Sequence, residues 1–150
     1  ATVPLGLARG ALTEFVRLAT QRKRRGDTIP LANRELVQSE IGRIEARLCA
    51  ARLFLRQAMT DLLAAIGADS DLVSERTHLR LAATFASETA LSTIGQLTEI
   101  AGAVSIMQSC PLERYERDAR AAAKHLAMSP AAYITGGQLV LGQDMSSARV

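Results

Sequence analysis

The sequence predicts an all-α fold, an up-down four-helix bundle, on three observations. Apolar residues recur at three- and four-residue spacing over long stretches, the signature of amphipathic helices. Ala, Leu and Arg, all good helix formers, dominate the composition. No stretch alternates apolar and polar residues with period two, so no β-domain is expected. The 150 residues suffice for one domain with a sizeable core, and all of 1–150 is expected to form a single helical-bundle domain. Aromatics make up only 3% and tryptophan is absent, so small and branched aliphatic side chains must build the core and let helices approach closely.

The first helix is expected from about Leu5 to about Arg24. Leu7, Ala11, Phe15, Leu18 and Ala19 share one face, and the cluster Arg22-Lys23-Arg24-Arg25 sits where cations offset the negative end of a helix dipole. Gly26-Asp27 then breaks the helix and Pro30 keeps the connection extended. The second helix is expected from Asn33, as N-cap, to about Ile66. Its nearly heptad stripe is Val37, Ile41, Ile44, Leu48, Leu55, Leu62 and Ile66, with Ala51, Ala58 and Met59 in the gaps. At 1.5 Å per residue such a helix is roughly 50 Å long and needs neighbours along its whole length; Gly67 closes it.

The third helix is expected from Asp71 or Ser74 to about Ala103, through Leu81, Phe85, Leu91, Ile94, Leu97 and Ile100. Ser74 with Glu75 and Thr77 makes an imperfect capping box. Ser87, Ser92, Thr93, Gly95, Thr98 and Gly102 keep its surface small and fairly polar, suited to close packing or to a ligand or subunit contact. After the break Gln108-Ser109-Cys110-Pro111, a fourth helix is expected from about Leu112 to Ala127, with Pro111 just before it or at its first position. Ala131 to Leu141 adds a last half-turn or a short helix, weakened by Gly136-Gly137; Gln143 to Val150 is expected to fray.

Several function classes are disfavoured. A net charge of +3 is too mild to imply a nucleic-acid partner, and the basic run from Gln21 to Arg25 lacks aromatic interleaving or a helix-turn-helix glycine pattern. Charges interrupt every apolar run, so no membrane span is expected. Cys49 and Cys110 lack metal-ligand spacing, which suits a reduced, cytoplasmic protein without a metal site. The start, Ala1-Thr2-Val3-Pro4, does not read as a signal peptide, and the missing initiator methionine fits a fragment or a processed chain equally.

The segment Pro111-Leu112-Glu113-Arg114-Tyr115-Glu116-Arg117-Asp118-Ala119-Arg120, followed by His125, is the most specific feature. It is similar to the P-x-x-R-x-x-R-D-A-R signature in the last domain of acyl-CoA dehydrogenases and of related two-component flavin monooxygenases. Ala101-Gly102-Ala103 resembles the small-residue turn before that helix. Arg22 to Gly26, Pro30-Leu31 and Leu36-Val37-Gln38 resemble the family's R-x-x-F-G…P-I…Q segment, with Arg25 in place of phenylalanine, and Ala50-Ala51-Arg52 resembles a common alanine-arginine element. The resemblance covers nearly the whole chain. It implies a C-terminal domain that drives dimer or tetramer assembly as a homo-oligomer and lines an FAD or FMN site. The N-terminal helical and middle β-domains are missing, so the chain alone is expected to be inactive and not to hold flavin.

The same resemblance implies site residues. In many acyl-CoA dehydrogenases a glutamate after the R-D-A segment is the base; Leu126 stands there and cannot abstract a proton. Glu88 and Glu99 are alternatives by composition only. In the monooxygenase branch a histidine at the place of His125 lies near the flavin's reactive edge, making His125 the candidate catalytic residue. Imidazole titrates near neutrality and can pass protons. The alternative is a histidine offsetting a helix dipole. Arg22 resembles the arginine that contacts a neighbouring subunit's flavin, and its fork of donors suits pyrophosphate; a solvated helix end is the other reading. Gln38 is a candidate polar cofactor contact or a surface glutamine. Val104 occupies a place where some monooxygenases carry an arginine that reaches flavin phosphate. Arg114, Arg117 and Asp118 are expected to form an ion-pair network tying the fourth helix to its neighbours, and His78 to be solvated. The substrate would be an acyl-CoA or an aromatic compound. A helical interaction module that kept the fold and lost the chemistry is the alternative.

Overall fold

The computed structural model describes residues 1–23, 28–67 and 72–145. Five α-helices follow one another: α1 (Thr2–Gln21), α2 (Glu35–Gly67), α3 (Val73–Ala101), α4 (Pro111–Ala122) and α5 (Ala131–Val140). Short 3-10 turns at Leu31–Asn33, Gly102–Ile106 and Leu126–Met128 link them. No strand occurs among the described residues, only one isolated antiparallel bridge between Lys23 and Pro30.

The helix boundaries refine the sequence reading for local reasons. Helix α1 stops at Gln21 rather than Arg24, because Arg22 is extended (φ −98°, ψ 137°) and its carbonyl accepts from the Leu31 N–H at 2.8 Å. The basic cluster therefore lies beyond α1, and no basic residue falls in the last turn; Arg24, Arg25, Gly26 and Asp27 lie outside the described residues. Asn33 ends a 3-10 turn instead of capping α2, which starts at Glu35. Helix α3 starts at Val73, so Ser74 is not its cap, and the Thr77 hydroxyl donates to the Val73 carbonyl at 2.7 Å; Asp71 lies outside the described residues. It ends at Ala101, where Gly102 takes φ +69°, a conformation that costs glycine nothing. Pro111 is the first residue of α4, as the sequence suggested, and its missing N–H would be unpaired there anyway. Helix α4 ends five residues earlier than expected, at Ala122, and α5 is a full helix of 10 residues.

Helix α3 is the centre. It packs against α1, α2, α4 and α5, whereas α1 and α2 scarcely meet. The packing face of α3 is largely small: Ala82, Thr84, Ala86, Ser87, Ala90 and Thr93 are all buried. Of the small residues the sequence singled out, Ser87 and Thr93 lie on this buried face, whereas Ser92 and Gly102 are exposed. One core joins Phe15, Ile44, Ile94, Leu97 and Leu112, each essentially without exposure. A second, built from Ala51, Leu55, Ala58, Ala82 and Ala86, holds α2 to α3. Each large apolar side chain so buried contributes about 1.5–3 kcal/mol.

Glycine sets the helix spacing at two places. At Gly10 an added Cβ would lie 2.8–3.0 Å from the Tyr115 ring, so α4 lies close on α1. At Gly136 it would lie 2.5 Å from Leu81 Cδ1 and 2.9 Å from Cγ, so α5 lies close on α3. The α2 stripe is buried from Val37 to Ala58 but not beyond: Met59 is 46% and Ile66 56% exposed. Among the described residues, the last turns of α2 beyond Ala58 have too few neighbours to cover them. Cys49 is exposed, Cys110 buried, and both are free.

Candidate functional site

The three candidate site residues fall in different places. Arg22 lines a recess of about 260 Å³ with Glu14, Arg17, Val104, Cys110 and Pro111. Two elements far apart in sequence thus meet: the end of α1 and the turn leading into α4. Arg17 is held by Glu14, with the guanidinium Nε 3.0 Å from the carboxylate. Among the described residues the Arg22 guanidinium has no ion-pair partner. Cys110 caps α4 without a side-chain hydrogen bond, so no side chain caps the positive end of that helix, whose first residues Pro111 and Leu112 line the recess. The chemistry suits an anion, and the volume suits a phosphate-sized group rather than a whole dinucleotide. Val104, where an arginine was one family option, lines the same recess.

Gln38 does not join Arg22. It borders an apolar cleft between α1 and α2 with Phe15, Val16, Ala19, Val37 and Ile41. Its Nε2 donates to the Ala32 carbonyl at 3.0 Å, tying the turn Leu31–Asn33 to the first turn of α2. That bond gives Gln38 a local structural use.

His125 lies on neither recess. It follows α4 by three residues and caps the 3-10 turn Leu126–Met128. Its Nδ1 accepts from the Ala127 N–H at 3.2 Å. That bond leaves Nε2 as the ring nitrogen free for a further partner. The ring is exposed, and Leu126 beside it is 79% exposed. The turn is anchored from α3: the Thr84 hydroxyl donates to the Ser129 carbonyl at 3.2 Å, and Met128 is buried.

The expected ion-pair network of α4 forms, but within the helix. Arg114 meets Asp118 at 3.6 Å, Arg117 meets Glu113 at 3.5 Å, and Arg120 meets Glu116 at 2.7 Å. These are exposed pairs one turn apart, worth a few tenths of a kcal/mol each. The tie to a neighbour is a different one, from the Thr98 hydroxyl to Glu116 at 3.4 Å. Glu88 accepts from the Tyr133 hydroxyl at 2.7 Å, and partial burial with that bond pushes the phenol up to about 12. Glu99 is exposed. His78 is exposed, as expected, yet its Nδ1 lies 2.9 Å from the Ser74 carbonyl.

One surface went unnoticed in the sequence. Helices α1 and α2 splay apart to leave a groove of about 530 Å³, with Leu5, Leu48, Leu55, Met59 and Leu63 inside and Arg52 and Arg56 on its rim. Farther along, Arg9 bridges the helices through a two-pronged pair with Glu45, which holds that carboxyl below the usual range. The exposed apolar positions on the far half of α2 were the available signal. Among the described residues, no group of three or more His, Cys, Asp or Glu could hold a metal, and no helix is long and apolar enough to cross a membrane.

Comparison with known proteins places this arrangement. The family described as acyl-CoA dehydrogenase, C-terminal domain, matches residues 1–130. Indole-3-acetate monooxygenase of Pseudomonas putida is 29% identical over 95% of this chain and 37% of its own length. A 3-(aryl)acrylate reductase of Clostridium sporogenes is 28% identical over 77% of this chain and 28% of its own length. The chain thus spans between about a quarter and little more than a third of the curated relatives it matches. Among solved structures, XiaF from Streptomyces sp. in complex with FADH2 and glycerol superposes with TM-score 0.85 at 27% identity, over 94% of this chain and 36% of XiaF. Butyryl-CoA dehydrogenase from Megasphaera elsdenii shares the fold, with TM-score 0.71 at 21% identity over 91% of this chain and 34% of its own. From the signature on α4, the helical architecture and these matches together, the chain belongs to the acyl-CoA dehydrogenase C-terminal domain family.

Proposed function

We propose that this chain is the C-terminal domain of a flavin-dependent monooxygenase, where it lines part of the flavin and aromatic-substrate site and supplies subunit contacts. The observation that carries the monooxygenase reading is the turn after α4. Leu126 stands where a dehydrogenase would carry its base, and His125 beside it is exposed on a capped, anchored turn. An imidazole there can exchange a proton with a substrate oxygen at neutral pH. The likeness to indole-3-acetate monooxygenase and to XiaF supports the same branch.

The recess at Arg22 fits one part of a flavin dinucleotide. The Arg22 guanidinium and the open end of α4 would hold the pyrophosphate, a group that FMN lacks, so FAD is the cofactor this reading favours. When bound, reduced flavin would supply the electrons that activate oxygen. Residues of the chain would orient the cofactor, exclude water and, at His125 Nε2, give or take a proton. Arg22 and His125 lie on different elements, and domains outside this chain must complete the site between them.

Assembly is supported by surface area. The chain exposes 9350 Å², against about 7,400 Å² for a compact monomer of this mass. The excess is comparable with a standard protein interface. It includes the open α1–α2 groove and the exposed last turns of α2. This also favours the second reading, a helical interaction module without chemistry.

The test is expression of the chain in its full reading frame. The longer protein is then assayed with an aromatic substrate, reduced FAD and oxygen, and separately with acyl-CoA and an electron acceptor. Oxygen-dependent hydroxylation, abolished by His125→Ala and weakened by Arg22→Ala, is the expected result. Acyl-CoA oxidation that survives His125→Ala would overturn the monooxygenase reading. Sedimentation of the chain alone tests assembly; a strict monomer at high concentration counts against it.

A further inference from the structure

We infer that the backbone of this fold locks its two histidines in opposite tautomers, and that the lock makes His125 an Nε2–H donor toward its ligand. The chain contains only two histidines. At His125 the partner of Nδ1 is the Ala127 backbone N–H, at 3.2 Å. A backbone N–H can only donate, so Nδ1 carries no proton and the single proton of the neutral ring sits on Nε2. At His78 the nearer partner of Nδ1 is the Ser74 carbonyl, at 2.9 Å, with the Ser74 hydroxyl, which can donate or accept, at the longer distance of 3.5 Å. A carbonyl can only accept, so Nδ1 carries the proton there.

The two locks differ in consequence. His78 bonds back one turn within α3, and its ring serves only its own helix. His125 uses Nδ1 to cap the turn Leu126–Met128, which leaves Nε2–H as the free polar edge of an exposed ring. Any hydrogen bond to a substrate or cofactor oxygen therefore runs through Nε2, and His125 meets that oxygen first as a donor. Ala127 becomes a positioning residue through its N–H: it fixes the tautomer and the ring plane without touching a ligand. The functional half of this inference rests on the reading of His125 given above; the tautomer lock does not.

The chain labelled with ¹⁵N provides the direct test. Long-range ¹H–¹⁵N correlations of the imidazoles are recorded at a pH well above the usual histidine range, with His78→Gln and His125→Asn assigning the signals. The expected pattern is one ring protonated at Nδ1, His78, and one at Nε2, His125. An Nδ1–H pattern at His125, or the averaged pattern of an unbonded ring, would overturn the lock. Amide exchange at Ala127 adds a second reading. Loss of a cap corresponds to about 5-fold faster exchange. His125→Ala should show it, whereas His125→Asn, whose side-chain oxygen can cap, should not; equal exchange in all three proteins would also overturn the lock. In the full-length protein, His125→Asn should keep flavin bound and lose substrate turnover. Normal turnover in that variant would overturn the donor role while leaving the tautomers standing.

Discussion

Replacing Gly136 by alanine should destabilise the chain, whereas the same change one residue on, at Gly137, should stabilise it. Both glycines lie inside α5, where alanine gains about 1 kcal/mol over glycine from helix propensity alone. The difference lies in what a methyl group meets. At Gly137 nothing lies within 4 Å. At Gly136 the new carbon would sit 2.5, 2.7 and 2.9 Å from Leu81 Cδ1, Cδ2 and Cγ. Both tips of that side chain could swing away, but Cγ is the branch point, so α5 must retreat from α3 or Leu81 must leave its rotamer. Overpacking of this kind costs about 1–3 kcal/mol. It exceeds the propensity gain and leaves Gly136→Ala destabilised by about 1 kcal/mol, some 2 kcal/mol below Gly137→Ala. In a chain of this size 1 kcal/mol moves Tm by about 2–4 °C. Thermal and urea unfolding followed by circular dichroism measure both variants, and amide exchange in α5 shows whether a loss is local. If Gly136→Ala matched Gly137→Ala, the close approach of α5 to α3 would be refuted, and with it the anchoring of the chain's last helix.

Gly10→Ala should lose about 1–2 kcal/mol, because the methyl meets the rigid ring of Tyr115 at 2.8 Å; combining it with Tyr115→Leu should recover part of the loss in urea titrations. Ile94→Ala, at the fully buried centre of α3, should cost about 2–5 kcal/mol in the same assay. Ultraviolet titration should show the Tyr133 phenol ionising near 12, a component absent from Tyr133→Phe. Its proton is held more tightly folded than unfolded. The stability it contributes is therefore present below the ordinary tyrosine value of about 10 and is lost as pH rises through 12. Glu88→Gln should bring that ionisation earlier by removing the carboxylate; an unchanged titration would mean that burial alone sets it.

The helices were legible because their apolar spacing is strong. Val37, Ile44, Leu48, Ala51, Leu55 and Ala58 fall on one buried face as the stripe requires. Pro111 marked the start of α4 because proline has few other comfortable places in a helix. The ends were harder to read. Arg22 looked helical by composition, yet a bond from Leu31, nine residues on, draws its carbonyl out of the helix. That bond is tertiary and leaves no local signal. Helix α5 was undervalued because Gly136-Gly137 counts against a helix by propensity, whereas Gly136 is what lets α5 dock on Leu81. At the candidate site, the pattern ending at His125 pointed to the turn after α4, but what its Nδ1 bonds depends on backbone geometry beyond the end of that helix. Gln38 shows the opposite case: a motif match whose amide is occupied at home by Ala32.

The central position of α3 orders events during synthesis. Helices α1 and α2 leave the ribosome first, yet they scarcely touch each other, and both cores need α3 as their partner. Between the end of α2 and the end of α3 the ribosome must add the stretch from 68 to 101, which takes about 2–7 s at ordinary elongation rates. For those seconds the faces that α1 and α2 turn toward α3 lack that partner. The nascent chain is then most open to chaperone capture and to wrong pairing between neighbouring chains on one message.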